Sequence, residues 1–179
     1  MRPEEAGIIE RYLECYRPRR CLEYGIGYST VVFSRHPFIE DYVGIDHNQD
    51  WIDIVRAEGV PEKVRLFCCP YDAGHGPKVL EASISGYVRE HAAGAFDFVF
   101  VDGIHRNQCL EHAPRLLTPR GFVILHDSAR KEHHAHIEKC FRHHRFLIEG
   151  EIIFESHWHR GLCLLWNADT NMVLEEQPA

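Results

Sequence analysis

Residues 96–103 read FDFVFVDG, an almost continuous apolar run that ends in an aspartate and a glycine. Residues 121–127 read GFVILHD and repeat this pattern, with a histidine and an aspartate after the run. Strands that are apolar at nearly every position are covered on both faces, as in a parallel sheet. The two stretches therefore favour an α/β fold in which polar residues directly follow buried strands.

Short apolar runs alternate with stretches of helical spacing along the rest of the chain, which predicts a doubly wound α/β sheet. The predicted strands are Arg20–Tyr24, Asp41–Asp46, Lys63–Cys68, Phe96–Val101, Gly121–His126, Phe146–Phe154 and Gly161–Trp166. The predicted helices are Pro3–Cys15, Asn48–Glu58, Pro77–Ala92, Gln108–Leu117 and Lys131–His144. The link between the last two strands, Glu155–Arg160, is too short for a crossover helix, so this pair should be antiparallel.

Composition limits the class of protein. The chain has 179 residues, 45% hydrophobic and 26% charged, which is typical of one globular domain. A net charge of -7 argues against a general nucleic-acid binder. Seven cysteines without paired spacing, no apolar signal core and no stretch of ~18 apolar residues indicate a cytoplasmic protein with no membrane partner. We predict a single domain over residues 1–167 and a polar tail over residues 168–179.

The unusual polar residues and glycines gather after the strands, where ligands bind in an open parallel sheet. Residues 23–30 read EYGIGYST at the end of the first strand, and Asp46 ends the second. Tyr71 and Asp72 follow the third strand, and Asp102 follows the fourth. With His126 and Asp127 at the end of the fifth strand, five strand ends carry such residues, which predicts a ligand site along this edge of the sheet.

The turn after the first strand indicates the kind of ligand. Gly25 and Gly27 let the backbone approach a ligand closely. Asp46, about 20 residues farther on, is spaced to accept hydrogen bonds from ribose hydroxyls. Thr30 replaces the third glycine of a dinucleotide fingerprint, and Glu23 would repel a pyrophosphate but attract an ammonium group. S-adenosylmethionine combines an ammonium, a ribose and a sulfonium, and is therefore the predicted cofactor.

The motif Glu23-x-Gly25-x-Gly27-x-Ser29, together with Asp46, residues 96–103 and residues 117–121, resembles the class I S-adenosylmethionine-dependent methyltransferases. The resemblance covers about residues 5–167. It implies a Rossmann-like methyltransferase fold of three α/β/α layers, with a seven-stranded, mostly parallel sheet whose last strand is antiparallel. Residues 101–106 and 125–127 look similar to the small-molecule branch near catechol O-methyltransferase.

By this resemblance, the cofactor would contact Glu23, Gly25, Gly27, Ser29, Asp46, His47, Tyr71, Asp72 and Asp102. The first four would line its methionine end, Asp46 would hold the ribose hydroxyls, and the next three would lie near the adenine. Asp102 would face the methionine portion or a metal.

Methyl transfer to a hydroxyl requires alignment of acceptor, methyl and sulfur, and removal of the hydroxyl proton. Histidine is a suitable base near neutral pH, and the chain has 14 histidines. His105 and His126 follow strands at the predicted cleft. In the catechol branch the base is a lysine three positions after the first metal-binding aspartate, which corresponds here to His105. We predict His105 as the base, His126 as the second candidate and Asp102 as part of the catalytic group; a purely structural role for each histidine stays open.

The same branch holds Mg²⁺ with two aspartates and an asparagine. Asp102 and Asp127 match the two acids, whereas the third position is Ser128. Oxygen ligands suit Mg²⁺ or Ca²⁺, and the addition of His105 would favour Mn²⁺, Fe²⁺ or Zn²⁺. A divalent Mg²⁺ or Mn²⁺ site at the two aspartates is thus one alternative, and a metal-free enzyme is the other.

The remaining histidines and Trp51 receive structural interpretations. The five histidines of residues 131–144 are assigned to the solvated face of a helix whose buried stripe contains Ile137, Cys140 and Phe141. Trp51 is assigned to the core. The acceptor site would be open or built from loops, and a second subunit of a homodimer is one way to complete it.

These observations predict a methyltransferase that moves a methyl group to a hydroxyl of a small molecule or sugar. Two alternatives are kept: a catalytically inactive module that binds S-adenosylmethionine, and an NAD-dependent oxidoreductase. Glu23 and Thr30 argue against the second.

Overall fold

The computed structural model describes residues 1–69, 96–148 and 161–168. The strands are β1 (Arg20–Tyr24), β2 (Asp41–Asp46), β3 (Val64–Cys68), β4 (Phe96–Val101), β5 (Leu117–His126), β6 (His143–Ile148) and β7 (Leu162–Trp166). The helices within these residues are α1 (Pro3–Tyr16), α2 (Tyr28–Phe33), α3 (Gln49–Ala57), α4 (Arg106–Leu116) and α5 (Lys131–Cys140).

The strands form one seven-stranded sheet in the order β3-β2-β1-β4-β5-β7-β6. Strands β1 to β5 pair in parallel, and β7 is antiparallel to both β5 and β6. This confirms the predicted doubly wound α/β fold with its antiparallel last strand. The order changes direction between β1 and β4, and such a switch point leaves a crevice at the carboxyl ends of the strands.

Side chains of the central strand β4 alternate between two packed faces. Phe98 packs in a cluster with Leu13 of α1, and Val99 packs in a second cluster with Leu110 of α4. All four side chains are fully buried. Helices on both faces explain why residues 96–101 are apolar at nearly every position, since either face would otherwise leave large side chains in water.

Among the described residues, three element boundaries differ from the predicted ones by three residues or more, and the short helix α2 was not predicted. Helix α5 ends at Cys140 and β6 begins at His143, although His143 and His144 were predicted to be helical and β6 was predicted to begin at Phe146. His143 pairs with Trp166 of β7, and their rings stack at 5.4 Å, so pairing along the sheet overrides the helical spacing. Strand β5 begins at Leu117 rather than Gly121.

Several predictions fall outside the described residues. They concern the helix Pro77–Ala92, the residues Tyr71 and Asp72, the link Glu155–Arg160 and the tail after Ala168. No helix in the described parts of the chain is both long enough and apolar enough to cross a membrane.

Candidate functional site

A cavity of about 770 Å³ opens at the carboxyl ends of β1, β2 and β4, beside the switch point of the sheet. One wall is formed by Gly25, Ile26, Asp46, His47, Asn48 and Trp51. The opposite wall is formed by the first turns of α4 and α5, and Asp102 and Gly103 lie between the two walls. Five residues predicted from the sequence line this cavity: Gly25, Asp46, His47, Asp102 and His105.

The turn after β1 is closely packed against the end of β4. Gly25 has a φ of 85°, and a Cβ built there would lie 2.3 Å from the Cα of Gly103. Only glycine tolerates both the left-handed backbone and this approach. The indole N–H of Trp51 donates to the carbonyl of Ile26 at 2.7 Å and holds the turn from outside. Trp51 is 41% exposed, so its predicted core position is wrong, and it forms part of the cavity wall.

Glu23 does not reach the cavity. Its carboxylate is fully buried and accepts hydrogen bonds from the hydroxyls of Ser29, Thr30 and Tyr42. Burial raises the pKa of Glu23 to about 7, although the three hydroxyls favour the charged form. The residues that line the cavity do not include Glu23, Gly27 or Ser29, in contrast to the predicted contacts with the methionine end.

Glu23 faces away from the cavity because its hydrogen bonds hold the turn after β1 together. Thr30, in the position of the missing third glycine, donates to Glu23 and accepts from the Gly27 amide at 2.9 Å. Glu23 thus holds the turn and the start of α2 together from behind. Gly27 leaves open space, because the nearest atom to a Cβ built there, among the described residues, is Trp51 Cζ2 at 3.9 Å.

Asp46 is held in a fixed orientation at the end of β2. Its Oδ1 accepts from the Asn48 amide at 2.9 Å and lies 3.1 Å from His47 Nδ1. Asn48 in turn caps α3 by accepting from the Trp51 amide. A carboxylate preorganised in this way can accept hydrogen bonds from a ligand without first being ordered.

His105 lies on the opposite wall, where the sequence placed it. It is the N-cap residue of α4, with a left-handed backbone at φ 54°, and its carbonyl accepts from the Cys109 amide at 3.1 Å. Non-glycine residues are uncommon in this conformation and often lie at functional sites.

His126 is buried among carboxylates and does not line the cavity. Its Nδ1 lies 2.8 Å from Asp102 Oδ1 and 3.4 Å from Asp127 Oδ1, and its Nε2 lies 3.1 Å from Glu5 Oε2. Burial opposes a charge on this ring, but the carboxylates outweigh it and raise the pKa of His126 to about 9. The raised pKa and the position of His126 outside the cavity lining disfavour its predicted role as a second candidate base.

Asp102 and Asp127 are joined by Arg106. Its Nη2 donates to Asp102 Oδ1 at 2.9 Å, and its Nη1 donates to Asp127 Oδ2 at 2.8 Å. Ligand atoms of Asp102, His126 and Asp127 lie within 4.8 Å of one another, as a metal would require. However, the guanidinium of Arg106 already binds both carboxylates. The residues present therefore do not fit the predicted Mg²⁺ or Mn²⁺.

Sequence reasoning missed His133, which it assigned to a solvated helix face. The side chain is 4% exposed and reaches the cavity wall. Its Nδ1 lies 2.6 Å from Asn107 Oδ1, and Asn107 Nδ2 donates to the Glu132 carbonyl, which fixes the amide orientation. Burial and the charge of Arg106 lower the pKa of His133 to about 4, so the ring is neutral. Its spacing of four residues from Ile137 was the signal that could have placed it on the buried stripe.

Comparison with known proteins agrees with this geometry. A family profile described as a methyltransferase domain matches residues 22–128, more than half of the chain. No curated protein matches the chain. A candidate O-methyltransferase from Klebsiella pneumoniae has a similar solved structure, with a TM-score of 0.71, 17% identity, and coverage of 94% of this chain and 81% of that one.

Two further solved structures share the fold. An O-methyltransferase from Bacillus cereus, solved in complex with SAH, gives a TM-score of 0.67 at 15% identity, over 92% of this chain and 80% of that one. The YcgJ protein from Bacillus subtilis gives 0.57 at 15% identity, over 82% and 71%. With the matching family profile, the chain belongs to the methyltransferase domain family and is a class I S-adenosylmethionine-dependent methyltransferase.

Proposed function

We propose that the protein transfers a methyl group from S-adenosylmethionine to a hydroxyl of a small molecule or sugar. The observation that carries this proposal is one continuous cavity with two different walls. The wall of Gly25 and Asp46 is suited to the cofactor, and the wall that holds His105 is suited to a polar acceptor. The volume of about 770 Å³ lies within the usual range of ligand pockets, roughly 300–1,000 Å³.

The cofactor wall fits S-adenosylmethionine, whose sulfonium supplies the activated methyl group when it is bound. The glycine turn at Gly25 exposes backbone to the cavity, and Asp46 presents a fixed carboxylate for the ribose hydroxyls. His47 and Trp51 would flank the adenine side of the same wall. Glu23 and Ser29 would act indirectly, because they hold the turn that the cofactor contacts.

The acceptor wall offers polar groups from the first turns of α4 and α5: His105, Arg106, Asn107, Gln108, Arg130, Glu132 and His133. Such a lining suits a hydroxylated molecule better than an apolar one, because every buried polar group of the ligand needs a partner. His105 is the candidate general base on this wall. Its ring would hold the proton that the hydroxyl loses as the new carbon–oxygen bond forms.

The Asp46→Ala variant tests the cofactor wall. We expect its affinity for S-adenosylmethionine to fall by roughly 1–3 kcal/mol, the loss expected when hydrogen bonds to a charged group are removed. Isothermal titration calorimetry measures this directly. Asp53→Ala, an exposed carboxylate on α3 whose ion pair is with Arg56, serves as the matched control and should bind normally. Equal affinities in the two variants would remove Asp46 from the ribose role.

The His105→Ala variant tests the base. We expect kcat to fall by about 10²–10⁴-fold, the usual contribution of a general base, with little change in cofactor affinity. His136→Ala removes a histidine of α5 that pairs with Glu111 outside the cavity, and should keep the parent turnover. A His105→Ala enzyme as fast as the parent would reject the assignment.

The proposed reaction itself is tested by incubation with labelled S-adenosylmethionine and pools of hydroxylated small molecules. We expect a methylated product together with S-adenosylhomocysteine. Cofactor binding without any product would favour the inactive module.

A further inference from the structure

We propose that Arg106 is a built-in cation that takes the place of a divalent metal at Asp102 and Asp127, so that methyl transfer proceeds without a metal. The catalytic part of this inference rests on the proposed function. The occupancy of the site by Arg106 is independent of the proposed function and has its own test.

The geometry is that of a bridging cation. Arg106 donates from both terminal nitrogens, at 2.9 Å to Asp102 Oδ1 and at 2.8 Å to Asp127 Oδ2. It also donates to the backbone carbonyl of Asp102 at 3.0 Å. A guanidinium is planar, permanently charged and matched to carboxylates, so these three bonds form a rigid unit.

The surrounding charges leave no need for a further cation. Asp102 Oδ1 faces His126 as well as Arg106, and Asp127 Oδ2 lies 3.4 Å from Arg130. A divalent ion would have to displace the guanidinium from its hydrogen bonds in a site where the Arg106 side chain is only 11% exposed. Breaking such a buried pair leaves an uncompensated charge, which is costly.

Arg106 also faces the proposed acceptor. It lines the cavity directly after His105. An acceptor hydroxyl that loses its proton develops negative charge on oxygen. A fixed cation beside that oxygen would stabilise the charge without reorganisation. Asp102 and Asp127 would act as positioning residues, because they hold the guanidinium in place.

The fold brings Arg106 between the two aspartates from a different element than either of them. Arg106 stands four residues after Asp102, so the first turn of α4 returns its side chain to the end of β4. Asp127 arrives from the end of β5, which pairs with β4. The pair of aspartates alone resembles a metal site, and only the tertiary contact shows that an arginine lies between them.

Binding of Mn²⁺, measured by electron paramagnetic resonance, tests the occupancy directly. We expect no stoichiometric binding by the parent protein, and a new site in Arg106→Ala because the two carboxylates are then uncovered. The double variant Arg106→Ala/Asp127→Asn should lose that new site. Arg106→Met, which retains more of the side-chain volume, is used if Arg106→Ala does not fold by circular dichroism.

Two results would overturn the proposal. One is stoichiometric Mn²⁺ binding by the parent that Asp127→Asn abolishes. The other is the failure of folded variants without Arg106 to gain any Mn²⁺ site. Neither readout depends on methyl transfer, so a failure of the proposed function is recognised separately, as absence of methylated product.

The catalytic role is tested once an acceptor is in hand. We expect full turnover in excess chelator, and a fall in kcat of about 10²–10³-fold in Arg106→Ala with cofactor affinity retained. Arg106→Lys should restore part of the rate, because it returns the charge but not the bidentate geometry. Loss of turnover on chelation, restored by Mg²⁺, would contradict the proposal.

Discussion

Replacing His126 by asparagine is expected to lower the free energy of unfolding by about 3 kcal/mol near pH 6. The carboxylates of Glu5, Asp102 and Asp127 raise the pKa of His126 from 6.5 to about 9 against the cost of burial. Each unit of pKa difference between the folded and unfolded states corresponds to about 1.4 kcal/mol. Chemical denaturation of the parent and the variant measures the difference.

The sign of the pH dependence follows from the raised pKa. The stabilisation is fully present below the unfolded value of 6.5 and is lost as the pH rises through about 9. The pKa of Glu5 is lowered to about 2, where burial is outweighed mainly by His126 and the Arg2 amide. The shifts of Glu5 and His126 describe the same ion pair, so their contributions to the free energy of unfolding are not added. Its contribution is present above pH 4.5 and is lost as the pH falls toward 2.

The stability difference between the parent and His126→Asn should therefore shrink between pH 6.5 and about pH 9. Comparing the two proteins cancels the titration of groups that they share. His136→Asn removes the ion pair between His136 on α5 and Glu111 on α4, and should keep the full pH dependence of the parent. If His126→Asn keeps that dependence as well, the buried ion cluster does not stabilise the fold.

The Gly25→Ala variant is expected to destabilise the protein by about 2–5 kcal/mol and to abolish cofactor binding. A Cβ at this position would lie 2.3 Å from the Cα of Gly103 and 2.8 Å from the carbonyl carbon of Asp102, both backbone atoms. The left-handed backbone at φ 85° costs about 1–2 kcal/mol for alanine, and overpacking adds about 1–3 kcal/mol. Relief of the clash would separate the ends of β1 and β4 at the cavity.

Substitutions at two other glycines distinguish the cost of the left-handed backbone from the cost of overpacking. Gly59 has a φ of 81° with nothing within 4 Å, so Gly59→Ala reports the backbone cost alone. Gly7 lies in α1 with open space around it, and Gly7→Ala should stabilise the protein by up to about 1 kcal/mol. Thermal and urea unfolding compare the three. Should Gly25→Ala cost no more than Gly59→Ala, the close packing of the turn against Gly103 is not rigid.

Local sequence was sufficient for the elements that depend on burial pattern. The predicted bounds of β1, β2 and β4 agree with the structure, because an apolar run between turn residues marks a strand covered on both faces. The bounds of α5 and β6 could not be read in this way. The boundary between α5 and β6 depends on the pairing of His143 with Trp166, and these two residues lie far apart in the sequence.

For the candidate site too, the sequence indicates which residues follow the strands but not where their side chains point. That polar residues follow the strands is visible in the sequence, and this located Asp46, Asp102 and His105 at one cavity. The direction in which a strand-end side chain points is not visible. Glu23 turns to three hydroxyls in the core, and His126 turns to Glu5, from which it is separated by 121 residues.

Local sequence was enough to predict the α/β fold, the glycine turn at Gly25 and the edge of the sheet where the cavity lies. These follow from local periodicity and from the rule that parallel strands end at one edge. The position of Arg106 between Asp102 and Asp127, and the burial of His126 against Glu5, could not be predicted without the tertiary contacts. Protonation states and ion pairs depend on which charges meet in space, and those charges come from α1, β4, α4 and β5.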